Sequence, residues 1–115
     1  MSKIKIRVTI NNDSKELMAI VENNKLKYKE DKTTTIIWNE KENTLYRETD
    51  ELIIRCPFNK KKKTDGIIEV KENKIEIKVP IKTKKLERKN HNIELEYEVD
   101  GNNIKYCVEE IIWVY

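Results

Sequence analysis

Glycine and proline are nearly missing from this 115-residue chain, at two residues each, and it has only two cysteines and one histidine. With Gly66 and Gly101 far apart, no glycine-rich loop exists to bring backbone N–H groups around a phosphate. Serine occurs only at positions 2 and 14, and the single histidine, His91, lies in the polar run Lys89-Asn90-His91-Asn92. No nucleophile and base are therefore paired by any recognisable spacing, His91 reads as an exposed turn residue, and the chain is not expected to be an enzyme. Cys56 and Cys107 make neither a disulfide framework nor a metal-ligand set, so no metal and no cofactor are expected. No stretch approaches the roughly 18 apolar residues of a membrane span, and Met1-Ser2-Lys3-Ile4-Lys5 lacks the apolar region of a secretion signal. The expectation is a reduced, cytoplasmic protein with no membrane partner.

One sign of charge is also missing as a block. The 24 basic and 21 acidic residues leave +3, with a pI near 8.7 and the signs interleaved. Nucleic-acid binders concentrate base on one face and usually exceed a pI of about 9, so nucleic acid is a weak candidate partner. Apolar residues make up 37% against 39% charged, a lean share that supports a fold only if the apolar residues are well arranged.

They are arranged in period two. Ile4, Ile6, Val8 and Ile10 alternate with Lys3, Lys5, Arg7 and Thr9, and Ile93, Leu95, Tyr97 and Val99 alternate with Glu94, Glu96 and Glu98. Successive side chains of a strand point to opposite faces, so each such segment has one dry face and one wet face. Turn signals rich in Asn and Asp fall between candidate strands at 3–10, 15–22, 25–29, 33–39, 43–48, 51–57, 67–71, 74–80, 81–88, 93–99 and 104–114. Only 15–22, with Leu17, Met18, Ala19, Ile20 and Val21, could alternatively start a short helix. Many short antiparallel strands must hide their edges, and closing on themselves achieves this. The chain therefore reads as one domain, 1–115, an all-β antiparallel meander closed into a small barrel of about eight to ten strands.

Parity predicts the registers. A turn at Asn12-Asp13 sets Val8 opposite Leu17 and Ile6 opposite Ala19, and a turn at Asn23-Asn24 sets Val21 opposite Leu26 and Ala19 opposite Tyr28. A turn at Gly101-Asn102 pairs Val99 with Ile104 and Tyr97 with Tyr106, leaving Glu98 to face Lys105 outside. Tyr28, Tyr97 and Tyr106 all point inward on this reading. With Leu45 opposite Ile54, Arg47 shares the dry face opposite Leu52, and a buried guanidinium needs an acid. Glu30, on the parity of Leu26 and Tyr28, is the expected partner; the alternative is a twist near Thr49 that releases Arg47 to water.

Several of these segments carry a resemblance. Leu26-Lys27-Tyr28-Lys29-Glu30 before Thr33-Thr34-Thr35-Ile36, Leu45-Tyr46-Arg47, Ile75 to Val79 before Thr83-Lys84-Lys85-Leu86, and Ile93 to Val99 with Asp100-Gly101 follow one another in order. In this order they resemble the YwiB-like family of small bacterial, calycin-like (lipocalin-like) β-barrel proteins, which has no established function. The resemblance implies a calycin-like barrel. It departs from the family at Glu48-Thr49-Asp50, where a glycine is usual, and at Asn59 to Gly66, a lysine-rich loop in place of a Tyr-x-Thr-Pro-x-Gly stretch.

Three functional surfaces follow. A barrel interior or mouth lined by Tyr28, Glu30, Arg47, Tyr97 and Tyr106 suits a small amphiphilic ligand. The runs Lys60-Lys61-Lys62-Lys63 and Lys84-Lys85 offer an alternative as an RNA contact through counterion release, or are simply solvated loops that resist aggregation. Ile111, Ile112, Trp113, Val114 and Tyr115 are apolar on both faces, so the second face calls for cover, either from the chain itself or from a second copy, with Ile111, Trp113 and Tyr115 as the homodimer interface.

Overall fold

A computed structural model describes residues 2–111. It contains ten strands: β1 Ser2–Ile10, β2 Asp13–Glu22, β3 Lys25–Lys29, β4 Thr35–Asn39, β5 Thr44–Glu48, β6 Leu52–Pro57, β7 Thr64–Val70, β8 Ile75–Lys89, β9 Asn92–Val99 and β10 Asn102–Glu110. Each pairs antiparallel with its sequence neighbours, and β10 returns to pair with β1, closing the barrel. Among the described residues there is no helix, and so none long and apolar enough to cross a membrane. The segment 15–22 is strand throughout its length, within β2.

The interior is the set that period two selects. Ile6, Val8, Ala19, Leu26, Tyr28, Ile36, Trp38, Ile81, Ile93, Leu95, Tyr97, Tyr106 and Val108 are buried, alternating with residues left wet. Outside, charges pair across neighbouring strands, as with Arg7 and Glu16 at 3.3 Å and Lys85 and Glu94 at 2.6 Å. Such exposed pairs contribute little to stability, typically under about 1 kcal/mol each.

Three of the expected registers are displaced by two residues. The first turn is Asn11-Asn12, with φ of 48° and 82°, and Ile6 faces Leu17 while Val8 faces Lys15. The last turn is Asp100-Gly101, with φ of 50° and 78°, and Tyr97 faces Ile104. A two-residue hairpin turn of this kind needs positive φ at both central residues, which Asn-Asn and Asp-Gly accept best. Moving a turn by one residue moves the pairing by two, so every side chain keeps its face. Lys105 consequently faces Glu96 rather than Glu98, and Glu98 pairs with Lys84 at 3.4 Å. Likewise Leu45 faces Cys56 and Arg47 faces Ile54, not Leu52. The Asn23-Asn24 hairpin is in the expected register.

Segments 74–80 and 81–88 form a single strand. β8 pairs with β7 over Ile75–Ile81 and with β9 from Ile81 to Lys89, with an irregularity between Thr83 and Lys85. Its first half therefore rises with β6 and β7 beyond the rest of the wall. The rows Ile54–Ile68–Ile77 and Leu52–Val70–Ile75 lie on one face of this extension, continuing the barrel interior, and Ile75 and Ile77 are about half exposed. Pro80 and Lys78 blunt the free edge.

Antiparallel order places the turns 11–12, 30–34, 49–51, 71–74 and 100–101 at one end of the barrel. The segments 23–24, 40–43, 58–63 and 90–91 lie at the other end, which is plugged. Phe58 follows β6 and turns inward, its ring 4.7 Å from Tyr97 and 6.2 Å from Trp38 between centroids. Its N–H donates to the Asn43 carbonyl at 3.0 Å, and the Asn59 N–H donates to the buried Thr83 hydroxyl at 3.1 Å.

Because Tyr97 fills the core and Glu96 faces outward, Tyr97→Ala should lower the free energy of unfolding by roughly 3–5 kcal/mol. Glu96→Ala should change it by about 0.5 kcal/mol or less. Urea denaturation of both variants measures this, and equal losses would place β9 out of register.

Candidate functional site: the open mouth of the barrel

Ten strands enclose more space than the eight whose side chains just fill a barrel. The plugged end takes up part of that space. At the other end a cavity of about 290 Å³ remains, lined by Ile10, Ile36, Leu45, Ile54, Val99 and Ile104 around Tyr28, Tyr97, Tyr106, Cys56, Glu30 and Arg47. Its volume lies at the lower bound of small-molecule sites, about 300–1,000 Å³.

Two polar groups shape it. In its depth, the hydroxyls of Tyr28 and Tyr106 approach to 2.6 Å. Two hydroxyls own two protons and only one lies between the oxygens, so the pair keeps one free donor. Burial raises the ionisation of both phenols well above the ordinary tyrosine value. Tyr97, also buried, is pushed up to about 12, with Cys56 adding to the shift. These rings are neutral at physiological pH.

At the rim, Glu30 Oε2 lies 2.9 Å from an Arg47 guanidinium nitrogen. Local structure sets both residues. Glu30 opens the loop after β3, where the Asp31 carboxylate accepts the N–H groups of Thr33 and Thr34, each at 2.9 Å, and the Glu30 N–H donates to the Thr34 carbonyl at 3.0 Å. The Thr33 N–H is the first cause holding the Asp31 carboxyl below its usual range. Arg47 stands near the end of β5, before a turn in which the Thr49 hydroxyl accepts the Leu52 N–H at 3.0 Å. The guanidinium is inward by parity yet reaches water, with 46% of the side chain exposed against 22% for Glu30. Contact and alignment differ here: Glu30 Oε2 is shut off from water and close to Arg47, yet no donor points at it in hydrogen-bond geometry.

Tyr28, Glu30, Arg47, Tyr97 and Tyr106 are thus brought together around one cavity. Cys56 and the aliphatic wall belong to the same cavity, and their shared parity was the signal that could have added them. Burial raises the Cys56 thiol to about 11, so it is a poor nucleophile near neutral pH. Cys107 lies on the outer face between the inward Tyr106 and Val108.

The lysine runs are elsewhere. Lys60 to Lys63 occupy the loop at the plugged end, where Asn59 Oδ1 accepts the Lys61 N–H at 2.9 Å. Lys84 and Lys85 sit on β8, paired with Glu98 and Glu94 at 3.4 and 2.6 Å. Phe58, the aromatic nearest the loop, is buried and offers no stacking face. His91 lies in the 90–91 turn as expected, with 37% of its side chain exposed, and its Nδ1 is 2.8 Å from a Glu110 carboxylate oxygen. Ile111 is half-buried, and its N–H donates to the Lys5 carbonyl at 2.8 Å; Ile112, Trp113, Val114 and Tyr115 lie outside the described residues.

The buried phenols make stability depend on alkaline pH. Tyrosines ionise near 10 in the unfolded chain but only at higher pH in the folded one, so the contribution is full below pH 10 and is lost as pH rises towards 12. Urea midpoints should fall between pH 9 and 11, and Tyr97→Phe should flatten that fall by about 1 kcal/mol at pH 11. An unchanged slope would mean that Tyr97 ionises as freely folded as unfolded.

Comparison with protein-family models, with curated proteins and with solved structures finds no match to this chain.

Proposed function

We propose that the protein is a non-enzymatic binding module that takes a small amphiphilic molecule into the open end of its barrel. The observation that carries this reading is the cavity itself: about 290 Å³ with a mostly apolar wall, a free hydroxyl donor in its depth and an ion pair at its rim. An apolar body with a few convergent polar groups is the usual composition of a small-molecule site. Binding is favoured over catalysis by the raised Cys56 thiol and the neutral phenols of the cavity, which are poor nucleophiles and bases near neutral pH. Kinship with the YwiB-like barrels belongs to this proposal and rests on the ordered segments quoted above.

The cavity thiol supplies a probe, read at mildly alkaline pH where enough thiolate forms to react. Cys56 lies in the cavity wall and Cys107 on the outer surface. Occupancy by the uncharged dye N-phenyl-1-naphthylamine or a short-chain amphiphile should slow alkylation of Cys56 and leave Cys107 unaffected, as read by peptide mass spectrometry. Leu45→Trp, which places an indole in the cavity, should abolish both the protection and the dye's fluorescence gain while the barrel stays folded. Equal dye binding by the folded Leu45→Trp variant would remove the cavity as the site. Native mass spectrometry of freshly purified protein then tests for a ligand retained from the cell.

A further inference from the structure

Granting that the cavity is a binding site, its rim selects among amphiphiles. We infer that the head group it takes is a hydrogen-bond donor, an amine or ammonium in preference to a carboxylate, and that this group docks on Glu30.

The two members of the rim pair are not equivalent. Arg47 is nearly half exposed, so its guanidinium can move into water while its aliphatic stem still covers the wall beside Ile54. Glu30 has no such exit: its side chain is mostly buried, and its Oε2 is cut off from solvent without an aligned donor. An incoming carboxylate would have to take Arg47 for itself, leaving Glu30 buried, unpaired and next to a like charge. That is the costly outcome for a buried ion. An incoming ammonium takes the opposite exchange. It supplies up to three N–H donors to Glu30 and returns Arg47 to water, where an exposed guanidinium is fully hydrated. A neutral hydroxyl supplies one donor without displacing Arg47.

The surroundings do not reverse this preference. Besides Glu30, the adjoining hollow is lined by one further charge of each sign, Asp13 and Lys15. Deeper in the cavity the remaining polar groups are the Tyr28–Tyr106 hydroxyl pair, the Tyr97 phenol and the Cys56 thiol; all are neutral, and the hydroxyls offer acceptor lone pairs as well as a proton, so they favour neither sign. The alkyl chain of such a ligand meets Ile36, Leu45 and Ile54.

Isothermal titration calorimetry of the full chain with octylamine, 1-octanol and octanoate at pH 7 tests the order. Octylamine should bind at least about tenfold more tightly than octanoate, with octanol between them, as expected for a charge-assisted hydrogen bond to Glu30. Glu30→Gln should erase the amine's advantage over octanol, and Arg47→Ala should tighten octylamine by removing its competitor. Octanoate equal to or tighter than octylamine would overturn the inference and leave the binding reading standing. An amine affinity that ignores Glu30→Gln, in a variant whose melting curve shows it folded, would overturn it equally. If none of the three binds the wild-type chain, the binding reading itself falls, and this inference with it.

Discussion

The pairing of β10 with β1 is the contact on which the rest depends. Ile6, Val8 and Ile10 meet Glu110, Val108 and Tyr106 across that seam, and without it the meander would be an open ten-stranded sheet with two bare edges. Closure also turns each strand's single dry face into one shared interior. A chain with 37% apolar residues could not cover both faces of an open sheet, but a closed one needs only the inner face to be dry. The lean composition and the barrel are therefore two expressions of one constraint.

The interior is then divided by its aromatics. Trp38, Phe58 and Tyr97 pack as a chain of rings towards the plugged end, with Phe58 brought in by a loop rather than by a strand. Above them six aliphatic side chains share the wall with Tyr28, Tyr106, Cys56, Glu30 and Arg47, and together these do not span a ten-stranded barrel. The cavity is what remains. The uneven height of the wall gives it a lopsided mouth, because β8 outruns β9 and carries the apolar face of β6 and β7 with it.

Much of this was legible in the sequence because period two survives errors of position. A turn at Asn12-Asp13 or Gly101-Asn102, one residue after the observed one, differs in pairing by two, yet leaves Ile6, Tyr97 and Tyr106 on the same face. The same robustness sets Glu30 and Arg47 on the interior side, where both line the cavity. What parity cannot carry is depth along the barrel. It does not tell that Arg47 sits at the rim, half in water, or that Tyr28 and Tyr106 meet hydroxyl to hydroxyl. Parity itself runs unbroken from 74–80 into 81–88 through Ile75, Ile77, Val79, Ile81 and Thr83, and it is Pro80, a residue that ordinarily edges or ends a strand, that marks a false boundary there. A loop has no period, so Phe58 is legible only as an apolar anchor beside the lysine run, and the structure buries it as one, against Trp38 and Tyr97.

An unfilled apolar space of this kind costs stability, and larger side chains at Leu45 or Ile54 would close it. A chain this lean in apolar residues leaves the space open and also places an ion pair beside it, where Glu30 is partly desolvated and poorly aligned with its partner. Each feature alone is a modest penalty without structural return, because the seam, the plug and the alternation already hold the barrel together. Side by side they compose the one region where the fold's requirements do not account for the residues present. That residual, rather than any resemblance, is the physical reason to look for function at the open end.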